Sequence, residues 1–492
     1  MSRYGYKIED KVYAINKFGY FSSGLVFDVL DYIKQTYGST SVLAISKNCL
    51  QYILDNITPL KSELQNKDKL VANIADDVGR NNELIKNGKH AFEYRDYQKN
   101  AISYLIYNGY GRGLIEIPTA GGKSFILANF IWNILKYYDR KLKTLILVPN
   151  KQLVEQFYKD LIDYGYSQYE LTRFTAGLKK HEAFNPDAKI IIANRQYIFK
   201  NINKLPKVDI LICDEVHQCT SESTKEFIER LNCKIKIGCS GTIPRDKYQR
   251  WQLIGMFGRI VYTEDIIKLQ ESGFISKLNI TLLKIIDNVV ENDRNMLFHT
   301  NSLRKYRPDE TGYSEIEFDE AIKAEDEYFV KHYKDLYKPV FEYLFNLNTN
   351  TLILFDRIEI GKNLFEYAKE LYLNKKDVFY IDGSINVKDR EFARESFEKS
   401  DGNLLIAQSS VMSTGVNIKR LTNLVFLTSS KSFSRVIQSI GRTLRLHESK
   451  DAAHLIDVSF NFKYSQRHLN ERLKLYKEMY NKKPDKIYTF EI

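Results

Sequence analysis

The chain has 492 residues, room for about three domains at roughly 150 residues each. Hydrophobic content of 43% and charged content of 27% are those of an ordinary globular protein and exclude collagen-like, mucin-like and wholly disordered classes. No apolar run approaches the roughly 18 residues needed to span a bilayer. The start, Met1 to Lys7, lacks the apolar core of a signal peptide. A soluble, cytoplasmic protein without a membrane partner is therefore expected. A net charge of +11 and a pI near 9.0 favour a polyanionic partner, nucleic acid foremost, although charge alone is equally served by solubility.

Five cysteines, an odd number without short pairs, argue against a disulfide framework. Cys213, Cys219, Cys233 and Cys239 fall as C-x5-C…C-x5-C, a spacing that invites a zinc reading. Cys49 stands apart. Cys213 and Cys239 each end an apolar strand-like run, however, and buried strand cysteines are commoner at such positions than ligands.

In chain order, residues 1–88 mix strand-like stretches (Lys11 to Ile15) with a helical pattern from Gly24 to Tyr37, and suggest a small α+β accessory domain. The Asp/Asn/Lys-rich stretch Asp76 to Lys89 is a linker pattern. An amphipathic helix, Tyr97 to Tyr107, then leads to a strand (Gly113 to Ile117), a Gly-rich turn and a helix (Lys123 to Tyr137). A strand at Thr144 to Val148 precedes a helix over Lys151 to Tyr164. Further strands are expected at Lys189 to Ala193, Val208 to Cys213 and Ile235 to Cys239. Short, unalternating apolar strands between helices are what a parallel sheet buried on both faces requires. Residues 89–275 thus form one doubly wound α/β lobe, with its active loops at the carboxyl ends of the strands.

Residues 276–345 are expected to be an inter-lobe segment carrying a polar inserted loop, Asn292 to Glu317. A second α/β lobe occupies 346–492. Its strands are Leu352 to Phe355, Val378 to Ile381, Leu404 to Ala407, Leu424 to Leu427 and Ala453 to Ile456. A helix over Gly361 to Leu373 follows the first of these, and a basic helix, Gln466 to Tyr480, closes the chain.

The turn Pro118-Thr119-Ala120-Gly121-Gly122-Lys123-Ser124 links a strand to a helix. Successive backbone N–H groups there can wrap a triphosphate, helped by the helix dipole. Lys123 would reach the β- and γ-phosphates and the Ser124 hydroxyl would bind Mg²⁺, with ATP as the nucleotide. Ile117 stands where a strict P-loop has Gly. Asp214-Glu215-Val216-His217 follows an apolar strand. Asp214 at the strand end can hold Mg²⁺, and Glu215 can polarise the attacking water. His217 is expected to link the nucleotide site to Ser240 and Thr242 rather than to bind metal.

The order P-T-A-G-G-K-S, D-E-V-H, S-G-T, S-T-G-V-N and Q-x-x-G-R-x-x-R resembles helicase superfamily 2 over about 95 to 460. That resemblance implies two tandem RecA-like lobes. It implies adenine contacts from Arg95 and Gln98, and a second-lobe motif of Gln438, Gly441, Arg442 and Arg445 whose arginines stabilise charge developing on the γ-phosphate. It also implies that Gly415, with Ser413, Thr414, Val416 and Asn417, contacts nucleotide and nucleic-acid backbone. Further backbone contacts are implied for Pro149, Asn150 and Gln152, where Asn150 replaces the usual Thr, and for Gly383, Ser384 and Arg390. The chain further resembles the phage UvsW-type, XPB-like branch-migrating helicases at Met256-Phe257-Gly258, at Ser413-Thr414-Gly415 and at Glu471 to Tyr476. Arg3-Tyr4-Gly5 and Ser23 to Val26 resemble part of that group's accessory domain, so a shortened version is expected and its DNA-binding role stays open.

The reading is an ATP-driven motor on duplex or branched DNA (forks, junctions, displaced strands). An RNA helicase shares the ATPase motifs and stays open as an alternative, as does the motor subunit of a restriction or defence complex. A catalytically dead binding module has no need of Lys123, Asp214, Glu215, Arg442 and Arg445 together.

Overall fold

The computed structural model describes Leu25, residues 73–74, 93–179, 183–288, 328–373, 375–412, 418, 420–427, 436, 439–441, 443–447 and 450–492. Most of the accessory-domain reading and the inserted loop lie outside these residues. The chain divides into two compact units, one ending at Asp265 and the other beginning at Ile266.

The first unit runs α1 (Asp96–Tyr107), β1 (Arg112–Glu116), α2 (Lys123–Tyr137), β2 (Thr144–Val148), α3 (Lys151–Tyr164), β3 (Leu171–Phe174), β4 (Ile190–Asn194) and α4 (Arg195–Lys200). It continues through β5 (Ile210–Asp214), α5 (Glu222–Arg230), β6 (Ile235–Ser240), α6 (Lys247–Phe257) and β7 (Ile260–Thr263). The seven strands form one sheet in the order β3-β4-β2-β5-β6-β1-β7, every pairing parallel. All residues of β2, β4, β5 and β6 are buried, which is why their sequences carry no alternation. Helix α3 shows how a helix is set on such a sheet. Asn150 caps it by accepting from Leu153 N, Val154, Phe157 and Leu161 bury one stripe, and Gly165 ends it at φ 115°.

The second unit holds α7 (Ile266–Glu271), β8 (Lys277–Ile286), α8 (Tyr333–Phe345), β9 (Thr351–Phe355), α9 (Ile358–Leu371), β10 (Val378–Ile381), α10 (Val387–Glu398), β11 (Leu404–Gln408) and α11 (Ser409–Met412). It ends with β12 (Asn423–Phe426), β13 (Ala452–Phe460), α12 (Lys463–Tyr480) and β14 (Lys486–Glu491). Its sheet order is β10-β11-β9-β12-β13-β8-β14, again parallel throughout. Ile353, Phe355, Ile406, Val425 and Ile456 pack with Tyr337, Phe341, Phe460 and Phe462 in its core. The fold class read from the sequence, two tandem doubly wound lobes, is the one observed.

Four strands escaped that reading: β3, β7, β8 and β14. β8 pairs with β13 and β14, and β14 follows the basic helix, so α12 does not close the chain. β14 is largely exposed, and its polar-apolar mixture carries no burial signal. Its place is set by register with β8 and by Ile280 N donating to Asp485 Oδ2 at 2.7 Å.

Next to α7, Ser276 donates through N to Leu444 O (2.8 Å) and through Oγ to Arg445 O (3.3 Å). Lys450 donates from Nζ to Leu421 O (2.8 Å) and Thr443 O (2.5 Å). Burial, and then the Arg445 guanidinium, push the Lys450 ammonium down to about 8 from its ordinary 10.5. Below pH 8 Lys450 is charged both folded and unfolded, so the folded state carries the full penalty. Between pH 8 and 10.5 only the unfolded chain keeps the proton, and this group's contribution to stability rises with pH. The thermal midpoint of the native chain relative to Lys450→Met is therefore expected to climb across that window. A flat difference would refute the shift.

Candidate nucleotide site

β1, β5 and β6 are neighbours in the first sheet. Their carboxyl ends therefore bring the P-loop, Asp214-Glu215 and Ser240-Gly241-Thr242 side by side, although the sequence separates them widely. The loop from 118 to 122 must reverse direction tightly. Gly121 N donates back to Pro118 O at 2.9 Å, and Ala120 and Gly122 take the left-handed region at φ 70° and 76°. A Cβ on Gly122 would also stand 2.5 Å from Gln98 Nε2, so a side chain there would be strained in conformation and would have to displace the Gln98 amide. A Cβ on Gly241 would stand 3.3 Å from Thr119 Oγ1 and 3.4 Å from Lys123 Nζ, which places this backbone against the lysine.

Lys123 Nζ lies 3.3 Å from Glu215 Oε1. Burial disfavours its charge, but Glu215 and then Asp214 outweigh that and raise its pKa. Burial likewise opposes ionisation of Glu215, yet Lys123 and His217 hold its carboxyl down at about 2. Asp214 is pushed up to about 6 by burial and by the Glu215 charge, against the pull of Lys123. One lysine thus serves two buried carboxylates and pairs directly only with the nearer, through Glu215 Oε1. Glu215 sits at φ 49° in the left-handed region, a backbone strain of the kind stored at functional sites.

His217 Nδ1 is 2.8 Å from Ser240 Oγ and 3.4 Å from Glu215 Oε2; the shorter contact takes the hydrogen bond. Ser240 Oγ in turn donates to Thr242 O (2.7 Å) and accepts from Thr242 N (3.1 Å). His217, Ser240 and Thr242 are therefore one hydrogen-bonded chain beginning beside Glu215. Four buried oxygens here find no hydrogen-bond partner among the described residues: Thr119 Oγ1, Asp214 Oδ1, Glu215 Oε2 and Thr242 Oγ1. Buried acceptors are rarely left so. A cluster of orphaned oxygens around a buried lysine is the donor set that a hard divalent cation and a phosphate chain fit.

Arg95 and Gln98 open α1. Gln98 Oε1 accepts from Arg95 N at 3.1 Å and Gln98 Nε2 donates to Gly121 O at 3.3 Å. Three participants were missed from the sequence. Tyr97 OH donates to Gly121 O at 2.7 Å and accepts from Arg95 Nη1 at 3.3 Å. The Tyr164 phenol shares a 2.9 Å hydrogen bond with Ser124 Oγ. Glu116 Oε1 accepts from Ile243 N at 2.8 Å, fastening β1 to the segment after Thr242. Tyr97, flanked by Arg95 and Gln98, could have been suspected. Nothing local marks Tyr164.

Of the residues assigned to nucleic acid, Pro149, Asn150 and Gln152 lie at the start of α3, where Asn150 Oδ1 is occupied in capping. In the second unit Arg390 Nη2 donates to Gly383 O at 2.8 Å and Gly383 N donates to Gln408 Oε1 at 3.0 Å. Ser384 donates through N and Oγ to Asp382 Oδ1, so these three residues do assemble. Gly441 is buried and Arg445 is half-buried. Ser413, Thr414, Gly415, Val416, Asn417, Gln438 and Arg442 lie outside the described residues. Cys213, Cys219, Cys233 and Cys239 are free thiols buried in the first unit. No described helix is long and apolar enough to cross a membrane.

Residues 91–245 match the family described as type III restriction enzyme, res subunit, and residues 335–447 match the helicase conserved C-terminal domain. The chain is 27% identical over 402 residues to the ATP-dependent DNA helicase uvsW of Enterobacteria phage T4, covering 79% of this chain and 75% of that protein. It is 24% identical over 396 residues to putative helicase 22 of a Sulfolobus islandicus filamentous virus, covering 75% and 65%. In fold it is similar to a fragment of a putative HsdR subunit of a type I restriction enzyme from Vibrio vulnificus YJ016. There the TM-score is 0.56 at 19% identity, with 85% of this chain and 73% of that one covered. A nucleotide site on the first of two parallel-sheet lobes, joined to these matches on both lobes, makes the chain a member of helicase superfamily 2, an ATP-dependent helicase or translocase.

Proposed function

We propose that the chain hydrolyses ATP with Mg²⁺ to translocate on duplex or branched DNA, remodelling forks, junctions or displaced strands in replication, recombination or repair. The observation that carries this is Lys123 buried against Asp214 and Glu215 amid unpartnered oxygens. The choice of DNA leans on the relative named a DNA helicase and on the basic charge. Lys123 binds the β- and γ-phosphates, and the backbone of Pro118 to Gly122 wraps them. Ser124 and Asp214 would hold the cation, which supplies charge neutralisation on the phosphate oxygens. Glu215, kept ionised by Lys123, orients the attacking water. Arg95 and Gln98 contact adenine. Gln438, Arg442 and Arg445 stabilise the transferring phosphoryl group. His217, Ser240 and Thr242 relay the nucleotide state to the adjoining backbone. Pro149, Asn150, Gln152, Gly383, Ser384, Arg390, Ser413 and Thr414 grip the nucleic-acid backbone, and Gly415 contacts the nucleotide.

The test is steady-state ATP hydrolysis at one fixed salt concentration with no nucleic acid, duplex DNA, a four-way DNA junction, single-stranded DNA and RNA. The greatest stimulation is expected with branched DNA. Stimulation by RNA alone would replace this reading with that of an RNA helicase.

A further inference from the structure

We propose that the first turns of α6 form a stacking platform for single-stranded DNA, an inference that rests on the motor reading. Residues 245–251, Arg-Asp-Lys-Tyr-Gln-Arg-Trp, are a continuous exposed run. Tyr248 is 45% exposed and Trp251 40%. The two aromatic side chains stand three residues apart, on one face of the helix. Neither makes a ring contact among the described residues, whereas the chain's other tryptophan, Trp132, packs edge-on against Tyr166. The opposite side of α6 does the packing, through Leu253, Met256 and Phe257 in the lobe's core.

The charges choose the occupant. The side chains of Lys247 and Arg250, also three apart, make no hydrogen bond or salt bridge among the described residues, and Arg245 adds a third cation; Arg250 and Arg245 are felt at longer range by the Glu116 carboxylate. The run's one acid, Asp246, spends its carboxylate capping the helix, where Oδ1 accepts from Gln249 N at 2.9 Å. Two open aromatic rings interleaved with cations suit a polyanion that offers flat π faces. Duplex DNA hides its base faces in the stack, and an acidic peptide has none. A single strand supplies both phosphates and bases. The platform is also wired to the nucleotide site. Only Ile243 and Pro244 separate Arg245 from Thr242, and Ile243 N is held by Glu116 at the end of β1. A strand stacked on Tyr248 and Trp251 is therefore gripped by the helix that follows the Ser240-Gly241-Thr242 backbone against Lys123.

The experiment uses the full chain with Trp132→Phe, which leaves Trp251 as the sole tryptophan, and titrates it with oligo(dT) while following tryptophan emission. Saturable quenching is expected. In the otherwise native chain, Trp251→Ala and Tyr248→Ala should each weaken oligo(dT) affinity about ten-fold. Lys247→Gln and Arg250→Gln should each flatten the dependence of log K on log salt by about 0.7. Unchanged emission and unchanged affinity while DNA stimulates hydrolysis overturn the platform and leave the motor reading standing. Equal quenching by heparin, which has no bases, overturns stacking, and quenching by oligo(U) but not oligo(dT) overturns the choice of DNA. If no nucleic acid stimulates hydrolysis, the motor reading fails and this inference with it.

Discussion

Lys123→Ala is expected to lower ATP hydrolysis by about 10³-fold while leaving nucleic-acid binding largely intact. Removing one preorganised charge from a water-poor phosphoryl-transfer site costs about 10²–10³ in rate, and the upper end is expected because Lys123 does two jobs. In the proposed mechanism it is the cation on the phosphates, and its Nζ at 3.3 Å from Oε1 keeps Glu215 ionised. Without it, Asp214 and Glu215 are two adjoining buried carboxylates that have lost their ammonium partner, and one of them takes up a proton. A water-orienting carboxylate that has become a carboxylic acid no longer accepts the water's proton. The companion variant Glu215→Gln separates these effects. It keeps the lysine, so nucleotide binding should survive while hydrolysis falls. Measuring hydrolysis, fluorescent-nucleotide affinity and DNA affinity in both variants gives the pattern. Hydrolysis retained in Lys123→Ala would remove the P-loop assignment.

The second large effect is one of stability. Asp457 on β13 receives Arg472 Nε at 2.9 Å and Nη2 at 2.7 Å in a forked pair, and Tyr476 OH donates to the same carboxylate at 2.7 Å. The Asp457 and Arg472 side chains are 1% and 3% exposed, so the guanidinium of α12 has no water to fall back on. Asp457→Ala leaves that cation buried and unpaired and should destabilise the second unit by about 3–5 kcal/mol. Tyr476 loses its acceptor as well. Replacing both ions by apolar groups of similar volume, Asp457→Leu with Arg472→Met, removes the uncompensated charge and is expected to recover most of the loss. Denaturant unfolding of the two variants and the native chain reads this directly. Equal losses in the single and double variants would show that packing, rather than charge pairing, holds α12 to the sheet.

Arg472 and Tyr476 lie in the segment Glu471 to Tyr476 whose flanking resemblance was read in terms of family, not of contacts. The sequence offered no hint that Asp457, fifteen positions earlier, was their target. The same division runs through the molecule. Strands β2, β4, β5, β6, β9 and β11 were legible to within a residue or two, because burial on both faces selects unbroken apolar runs; β10, a half-buried edge strand, was legible from its apolar run alone. β3 and β7, at the edges of their sheet, and the exposed β14 carry no such signature and were missed. β8 is buried at most positions, but it lies in a stretch expected to join the lobes, and only its pairing with β13 makes it a strand of the second sheet.

The nucleotide site divides in the same way. The proposed phosphate cradle is a string of consecutive backbone groups ending in Lys123 and Ser124, and the Asp214-Glu215 pair lies at the end of one strand. Both are contiguous in the chain, so the amino-acid sequence by itself determined them. Tyr164 reaching Ser124 across 40 positions, Glu116 catching Ile243 across 127 and Ile280 bonded to Asp485 across 205 were decided only by the tertiary structure. Such contacts depend on which strands become neighbours. In a doubly wound sheet the strand order β3-β4-β2-β5-β6-β1-β7 follows from the packing of whole elements, and no short window of residues encodes it.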